Sequence, residues 1–343
     1  MQSLTLTRPD DAHLHLRDGA ALESVLPHTA RAFARAVVMP NLRPPIINTA
    51  LATAYRGRVL KALPKGSDFV PLMTLYLTDG TSPGEIARAK RSGLVCGVKY
   101  YPAGATTNSE AGVRSIERAY PALDAMQEHD LPLLVHGEVA TPGVDVFDRE
   151  RVFLETVLAD VTRRFPRLRI VVEHVTTREA VDFVIAGGPH IAATITAHHL
   201  LYNRSAMFAG GLRPHYYCLP VLKREEHREA LVRAATSGDP KFFLGTDSAP
   251  HARGDKETPC GHAGIYTAHA AIELYAEVFE RAGALDKLEA FASFHGADFY
   301  RLPRNRGTIS LRKETWTVPG EIAFGATTLV PLRAGESVGW RLA

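Results

Sequence analysis

The string Asp10-Asp11-Ala12-His13-Leu14-His15-Leu16-Arg17-Asp18 alternates polar with apolar residues from His13 onward. Strand side chains repeat every second residue, so the pattern sets His13, His15 and Arg17 on one face. Two imidazoles so placed are able to hold one metal ion, although the same string taken alone fits a half-exposed strand facing water equally well. Four more places offer related chemistry. Lys99 ends the run Gly97-Val98-Lys99, His136 follows Leu133-Leu134-Val135, His174 follows Val171-Val172-Glu173, and Asp247 follows Leu244-Gly245-Thr246. Each has an ordinary explanation alone: a snorkelling lysine, a hydrogen-bonded core histidine, an aspartate capping a helix.

The elements that must carry these residues are repeated strand–helix units, since short runs rich in branched residues recur with helical spacing between them. The runs predict eight strands near 12–16, 36–39, 69–75, 94–100, 131–135, 170–173, 191–196 and 242–245. Helices are expected between them, for instance at 20–35, 112–129, 147–165, 178–186 and 224–236. Eight such units predict an α/β fold, a closed (β/α)8 TIM barrel, in which chemistry gathers at the carboxyl ends of the strands. All six residues fall at that end. Unrelated core and surface residues would scatter over both ends, so the coincidence argues for one site.

Four histidines, an aspartate and a lysine exceed the needs of one catalytic zinc, which commonly keeps three protein ligands and an open position; two metals fit better. Lysine cannot ligate as an ammonium. Burial and nearby dications depress its pKa, and the neutral amine then captures carbon dioxide as a carbamate that bridges two metals as a carboxylate would.

The chain has 343 residues, 40 basic and 37 acidic, with no run of like charge, so neither a nucleic-acid groove nor a membrane surface is expected. Cys96, Cys218 and Cys260 are widely spaced without a C-x-x-C, which argues against a disulfide framework or a thiolate zinc site. No signal-peptide order and no apolar run of bilayer length is visible, so a cytoplasmic protein with reduced thiols is expected. No linker or internal repeat divides 1–343, giving one domain, with 301–343 as a short C-terminal extension of small strands packed outside the barrel.

This set of residues resembles the amidohydrolase superfamily, and the strings around it resemble the dihydroorotase family, specifically its single-function bacterial, class II type. They are Asp11-Ala12-His13-Leu14-His15-Leu16-Arg17-Asp18-Gly19, Met39-Pro40-Asn41-Leu42, Gly97-Val98-Lys99 with Tyr101-Pro102-Ala103, His136-Gly137-Glu138, Glu173-His174-Val175-Thr176-Thr177, the stretch from Arg213-Pro214-His215 through Tyr217-Cys218-Leu219-Pro220 to Arg224, and Gly245-Thr246-Asp247-Ser248-Ala249-Pro250-His251. The resemblance implies two Zn2+ bridged by N6-carboxylated Lys99 and a hydroxide, with His13, His15 and Asp247 on one ion and His136 and His174 on the other. It also implies reversible interconversion of N-carbamoyl-L-aspartate and L-dihydroorotate in pyrimidine synthesis, usually by a homodimer.

Opening a cyclic amide needs a nucleophile, a polarised carbonyl and a proton for the leaving nitrogen. A metal pair supplies the first two, and Asp247 is placed to carry the proton. Arg17, two residues beyond His15, has a planar fork suited to a substrate carboxylate, and Asn41 and His251 complete that clamp as the resemblance implies. By the same resemblance, backbone groups of Leu219 and Ala263 meet the ring edges, and Thr106 and Thr107 sit on a closing lid formed by 103–109. Two other readings remain at this point: another cyclic amidase such as a hydantoinase or allantoinase, and a non-catalytic dihydroorotase-like scaffold. His262 receives no role.

Overall fold

The computed structural model describes residues 2–343. Eight parallel strands follow one another in chain order: Asp10–Leu14, Arg35–Val38, Val70–Tyr76, Val95–Tyr100, Leu133–His136, Ile170–Glu173, Ile191–Ile195 and Phe242–Leu244. Residues just past the last strand join it to the first. Asp247 N donates to His13 O (2.9 Å), His15 N donates to Ser248 O (3.2 Å), and Leu14 bridges Ser248 in parallel. This is the (β/α)8 barrel expected from the spacing, because each strand is followed by a segment that buries an apolar face against the sheet.

Alternation along the strands divides their residues into two packed sets. Ala12, Val37, Met39, Leu134, Val171, Ala192 and Phe243 pack together with Tyr300 inside the barrel. Ala36, Val38, Leu133, Val135, Ile170, Val172, Ala193 and Leu244 join the larger core beneath the helices. The helices start where local chemistry starts them. Asp18 caps Gly19–Ala32, Asn48 caps Thr49–Ala62, and Ser82 caps Pro83–Ser92. Thr177 accepts from Ala180 N at the head of Arg178–Ala186. Each cap satisfies a backbone N–H that helix geometry leaves without a partner. The helix expected at 147–165 is interrupted: Arg149–Phe153, a π-helical turn Leu154–Leu158 and Ala159–Arg164 follow in series.

The tail does form small strands outside the barrel. Thr308–Arg312 pairs antiparallel with Arg341–Leu342 and with Ser3–Thr7, a strand that the sequence pattern had not indicated. One expectation needs correction. The first barrel strand ends at Leu14, and its register shifts between Asp11 and Leu14. Ala12 already faces the interior, so unbroken alternation would turn His13 outward. The irregularity resets the phase, and His13 and His15 reach the mouth on account of it rather than through a regular strand.

Candidate active site

Three donor atoms converge above the seam between the first and last strands. His13 Nε2 and His15 Nε2 are 3.2 Å apart, and Asp247 Oδ1 lies 2.9 Å from His15 Nε2 and 3.3 Å from His13 Nε2. A tetrahedral ion with metal–donor distances of about 2.0–2.1 Å separates its ligands by about 3.3–3.4 Å, so these atoms already span one face of such a site. They are also the donor types a zinc-like ion takes. Asn41 Oδ1 sits 2.9 Å from His15 Nδ1, which fixes that ring and leaves Nε2 for a cation. Gly245 is required beside them, because a Cβ there would come within 2.7 Å of Thr194 and 3.1 Å of the His13 Cβ.

A second group adjoins the first. The His13 and His174 rings are 5.0 Å apart, and His174 and His136 are 4.9 Å apart. His174 Nδ1 is buried without a hydrogen-bond partner, as expected of a nitrogen reserved for an ion. His136 Nε2 is held by Glu138 Oε2 at 2.9 Å. Lys99 is fully buried among these residues and pairs with the Glu173 carboxylate. Glu173 Oε2 also lies 3.0 Å from His13 Nδ1, though off the line a hydrogen bond requires.

Burial alone would depress the His13 pKa, but the Glu173 and Asp247 carboxylates outweigh it and raise it to about 9. Burial pushes His15 down to about 4 and Lys99 below its usual range, Glu173 opposing the latter. The site therefore holds positive charge firmly at His13 and discourages it at Lys99.

Three residues at this mouth adopt left-handed backbone conformations: Arg17 (φ 61), His174 (φ 43) and Asp247 (φ 44). Each costs on the order of 1–3 kcal/mol and persists because neighbours hold it. His174 N donates to Thr194 Oγ1 (2.7 Å), Tyr55 OH donates to Arg17 O (2.6 Å), and Asp247 N donates to His13 O (2.9 Å). Behind them, buried Glu150 accepts from Thr176 N (2.9 Å) and Thr176 Oγ1 (3.0 Å), while Asp11 accepts from His13 N (3.1 Å), Thr246 N (2.9 Å) and Thr246 Oγ1 (2.6 Å).

The remaining expected residues surround the same pocket. Arg17, Asn41, Thr106, Thr107, Leu219 and Ala263 line it together with the histidines and Asp247. Arg17 Nε donates to Pro250 O (2.9 Å) and its Nη2 is 3.0 Å from His251 Nε2. Asp18 does not hold Arg17; it pairs with Arg58. The 103–109 loop lies over the site. Asn41 Nδ2 donates to Thr107 O (3.2 Å), Thr107 Oγ1 donates to Ala263 O (3.2 Å), and Asn108 Nδ2 donates to Asn41 O (3.0 Å).

Residues 10–320 match the amidohydrolase family model. The dihydroorotase of Cupriavidus taiwanensis is 66% identical over 340 residues, 99% of each chain. The chain is a member of the dihydroorotase family of amidohydrolases. Among solved structures, dihydroorotase from Campylobacter jejuni is 38% identical (TM-score 0.91, covering 99% of this chain and 97% of that one). Dihydroorotase from Saccharomyces cerevisiae, in complex with 5-fluoroorotic acid, is 34% identical (TM-score 0.92, covering 100% and 99%). An L-hydantoinase from Arthrobacter aurescens shares the fold alone, at 14% identity. As a member of this family the protein is a metal-dependent cyclic amide hydrolase.

Against that family background, Glu173, Asp11, Glu138 and Glu150 are the site residues that sequence reasoning left without roles. One signal was available for Glu173: alternation from Val171, which packs inside the barrel, points it inward too. Nothing comparable marked Asp11 or Glu150. A separate buried trio, His198, His199 and Cys218, also gathers metal-type donors. It is already self-satisfied at two members. His199 engages Thr196 Oγ1 (2.7 Å) and Pro220 O (3.1 Å), and the Cys218 thiol, pushed up to about 12 by burial, donates to Pro220 O.

Proposed function

We propose that this protein acts as a dihydroorotase, reversibly cyclising N-carbamoyl-L-aspartate to L-dihydroorotate for pyrimidine synthesis. The observation that carries the proposal is the union of a two-part metal-ligand set with Arg17 and Asn41 in one pocket, His251 lying 3.0 Å from Arg17, within a chain 66% identical to a dihydroorotase. His13, His15 and Asp247 would hold one Zn2+, His136 and His174 the other, and N6-carboxylated Lys99 would bridge them with a hydroxide. Glu138 engages Nε2 of His136, so Nδ1 would be the nitrogen available to an ion. When bound, the two ions supply a hydroxide available at neutral pH and polarise the ring carbonyl.

The chain's own residues do the rest. Burial lowers the Lys99 pKa, which favours the neutral amine needed to capture carbon dioxide. Asp247 relays a proton between the attacking oxygen and the ring nitrogen, acting as acid toward nitrogen in ring opening and as base in ring closure. Its carboxylate is held well below the usual range, burial being outweighed by His13, so it is ionised. The Arg17 fork binds the substrate carboxylate, with Asn41 and His251 beside it. Backbone groups of Leu219 and Ala263 meet the ring edges, and Thr106 and Thr107 close over the substrate and exclude water.

No helix among the described residues is long and apolar enough to cross a membrane. The reading is completed by a cytoplasmic location, no nucleic-acid partner and a homodimeric working unit. It takes 1–343 as one domain, supported by the pairing of Ser3–Thr7 with Thr308–Arg312. The deciding experiment measures turnover of dihydroorotate, hydantoin and allantoin by one purified sample whose metal content is also determined. Turnover of dihydroorotate with two metals per chain is expected. Preference for hydantoin or allantoin would overturn the substrate, and absence of all turnover in metal-loaded protein would point to a scaffold.

A further inference from the structure

Lys256 ends the short helix Arg253–Lys256 and turns inward, 4% exposed. Its Nζ donates to three backbone carbonyls: Tyr217 (2.8 Å), His262 (3.0 Å) and Gly264 (2.5 Å). Among the described residues its hydrogen bonds all go to backbone carbonyls and none to a carboxylate. A buried ammonium without an acidic partner is unfavourable unless every proton finds an acceptor. Burial drives its pKa down to about 7, with Cys218 opposing the shift and Arg17 adding repulsion, and the three carbonyls are the acceptors its nitrogen has.

Those carbonyls belong to two chain segments that meet at the substrate pocket. Tyr217 precedes Leu219, and His262 and Gly264 flank Ala263; both Leu219 and Ala263 line the pocket. Gly264 N also donates to Tyr217 O (3.0 Å), which locks the segments together. The Ala263 carbonyl accepts from Thr107 Oγ1 of the overlying loop. Gly264, at φ +151, lies so close to its neighbours that a Cβ would come within 2.8 Å of Ala249 O and His251 Cδ2. His262 stacks on His251 (5.2 Å, 20°), whose Nε2 is 3.0 Å from Arg17. The ring-edge wall, the lid contact and the carboxylate corner thus meet around a strand of backbone that one ammonium ties down.

We infer that Lys256 is a positioning residue for substrate recognition: its three bonds set the Ala263 backbone at the height where it meets both the substrate ring and Thr107. This rests on the ring-edge role proposed above for Leu219 and Ala263. Lys256→Met keeps the stem and removes the donors. Metal content should match wild type, KM for dihydroorotate should rise about tenfold or more, and kcat should change less. In a double-mutant cycle, Thr107→Val should raise KM in the wild-type background and have little further effect in Lys256→Met. Limited proteolysis without substrate should cut the 103–109 loop faster in Lys256→Met, and this readout does not depend on the identity of the substrate.

Unchanged KM and unchanged cleavage in a folded, metal-loaded Lys256→Met would overturn the inference, as would strictly additive effects of the two substitutions. Should Lys256→Met not fold, Lys256→Gln, which keeps two donors on a shorter stem, carries the same comparisons. If wild type fails to turn over dihydroorotate, the functional reading falls, and the proteolysis result decides the positioning of the loop by itself.

Discussion

Removing the metals and varying pH should reveal a proton that the ions displace. His13 lies 3.0 Å from Glu173 Oε2 and 3.3 Å from Asp247 Oδ1, and these carboxylates raise its pKa from 6.5 to about 9 despite burial. A histidine whose folded pKa is raised stabilises the fold fully below its unfolded pKa, and that stability is lost as pH climbs through the folded value. The gap between 6.5 and about 9 corresponds to roughly 3–4 kcal/mol at about 1.4 kcal/mol per pH unit, most of which is lost between pH 6.5 and 9.5. Lys256, pushed down to about 7, titrates across an overlapping range with the opposite sign, so the comparison must be between wild type and His13→Gln. Urea unfolding of the two metal-free proteins at pH 6.5 and 9.5 should show wild type losing roughly 2–3 kcal/mol relative to the variant over that interval. Metal binding should show the mirror image. The ion must expel the His13 proton, so wild-type affinity, measured against a competing chelator, should rise about tenfold per pH unit up to about pH 9. A flat difference in stability together with pH-independent metal affinity would refute the placement of His13 between two carboxylates.

Three further outcomes follow from the pocket. Asp247→Asn should keep most of the metal while reducing turnover in both directions by on the order of a thousandfold or more, measured on metal-quantified protein; undiminished turnover would remove the aspartate from proton transfer. Arg17→Lys preserves charge and loses the planar fork, so KM for both substrates should rise roughly tenfold with a smaller change in kcat, and unchanged kinetics would exclude a two-point carboxylate contact. Glu150→Gln weakens the anchor of Thr176, and of Thr177, whose hydroxyl also donates to Glu150, behind strained His174. It should cost about 1–3 kcal/mol in thermal or urea unfolding and lower occupancy of the second metal; wild-type stability and metal content would show that the anchor is idle.

Much of the fold and site could be read from residue order, for reasons that are local. Branched runs alternating with helical spacing set the count of eight units, and strand bounds came within two residues of those observed. A polar residue at the end of an apolar run is visible without coordinates, so Lys99, His136, His174 and Asp247 could be found. The tail's pairing with Ser3–Thr7 could not, because its partners lie some three hundred residues apart and nothing in either segment names the other.

What the sequence determined by itself is therefore the inventory: which metal-type and charged side chains gather, and at which end of the barrel they stand. Tertiary structure decided how they aim. His13 faces inward because the first strand slips its register, and His174 and Asp247 turn inward on left-handed backbone that distant groups hold in place. The buried acids Glu173, Asp11 and Glu150 act across the barrel on residues far away in the chain. Periodicity records only which way a residue faces when the backbone is regular. At the mouth of this barrel the backbone departs from regularity, and only long-range contacts could settle the geometry there.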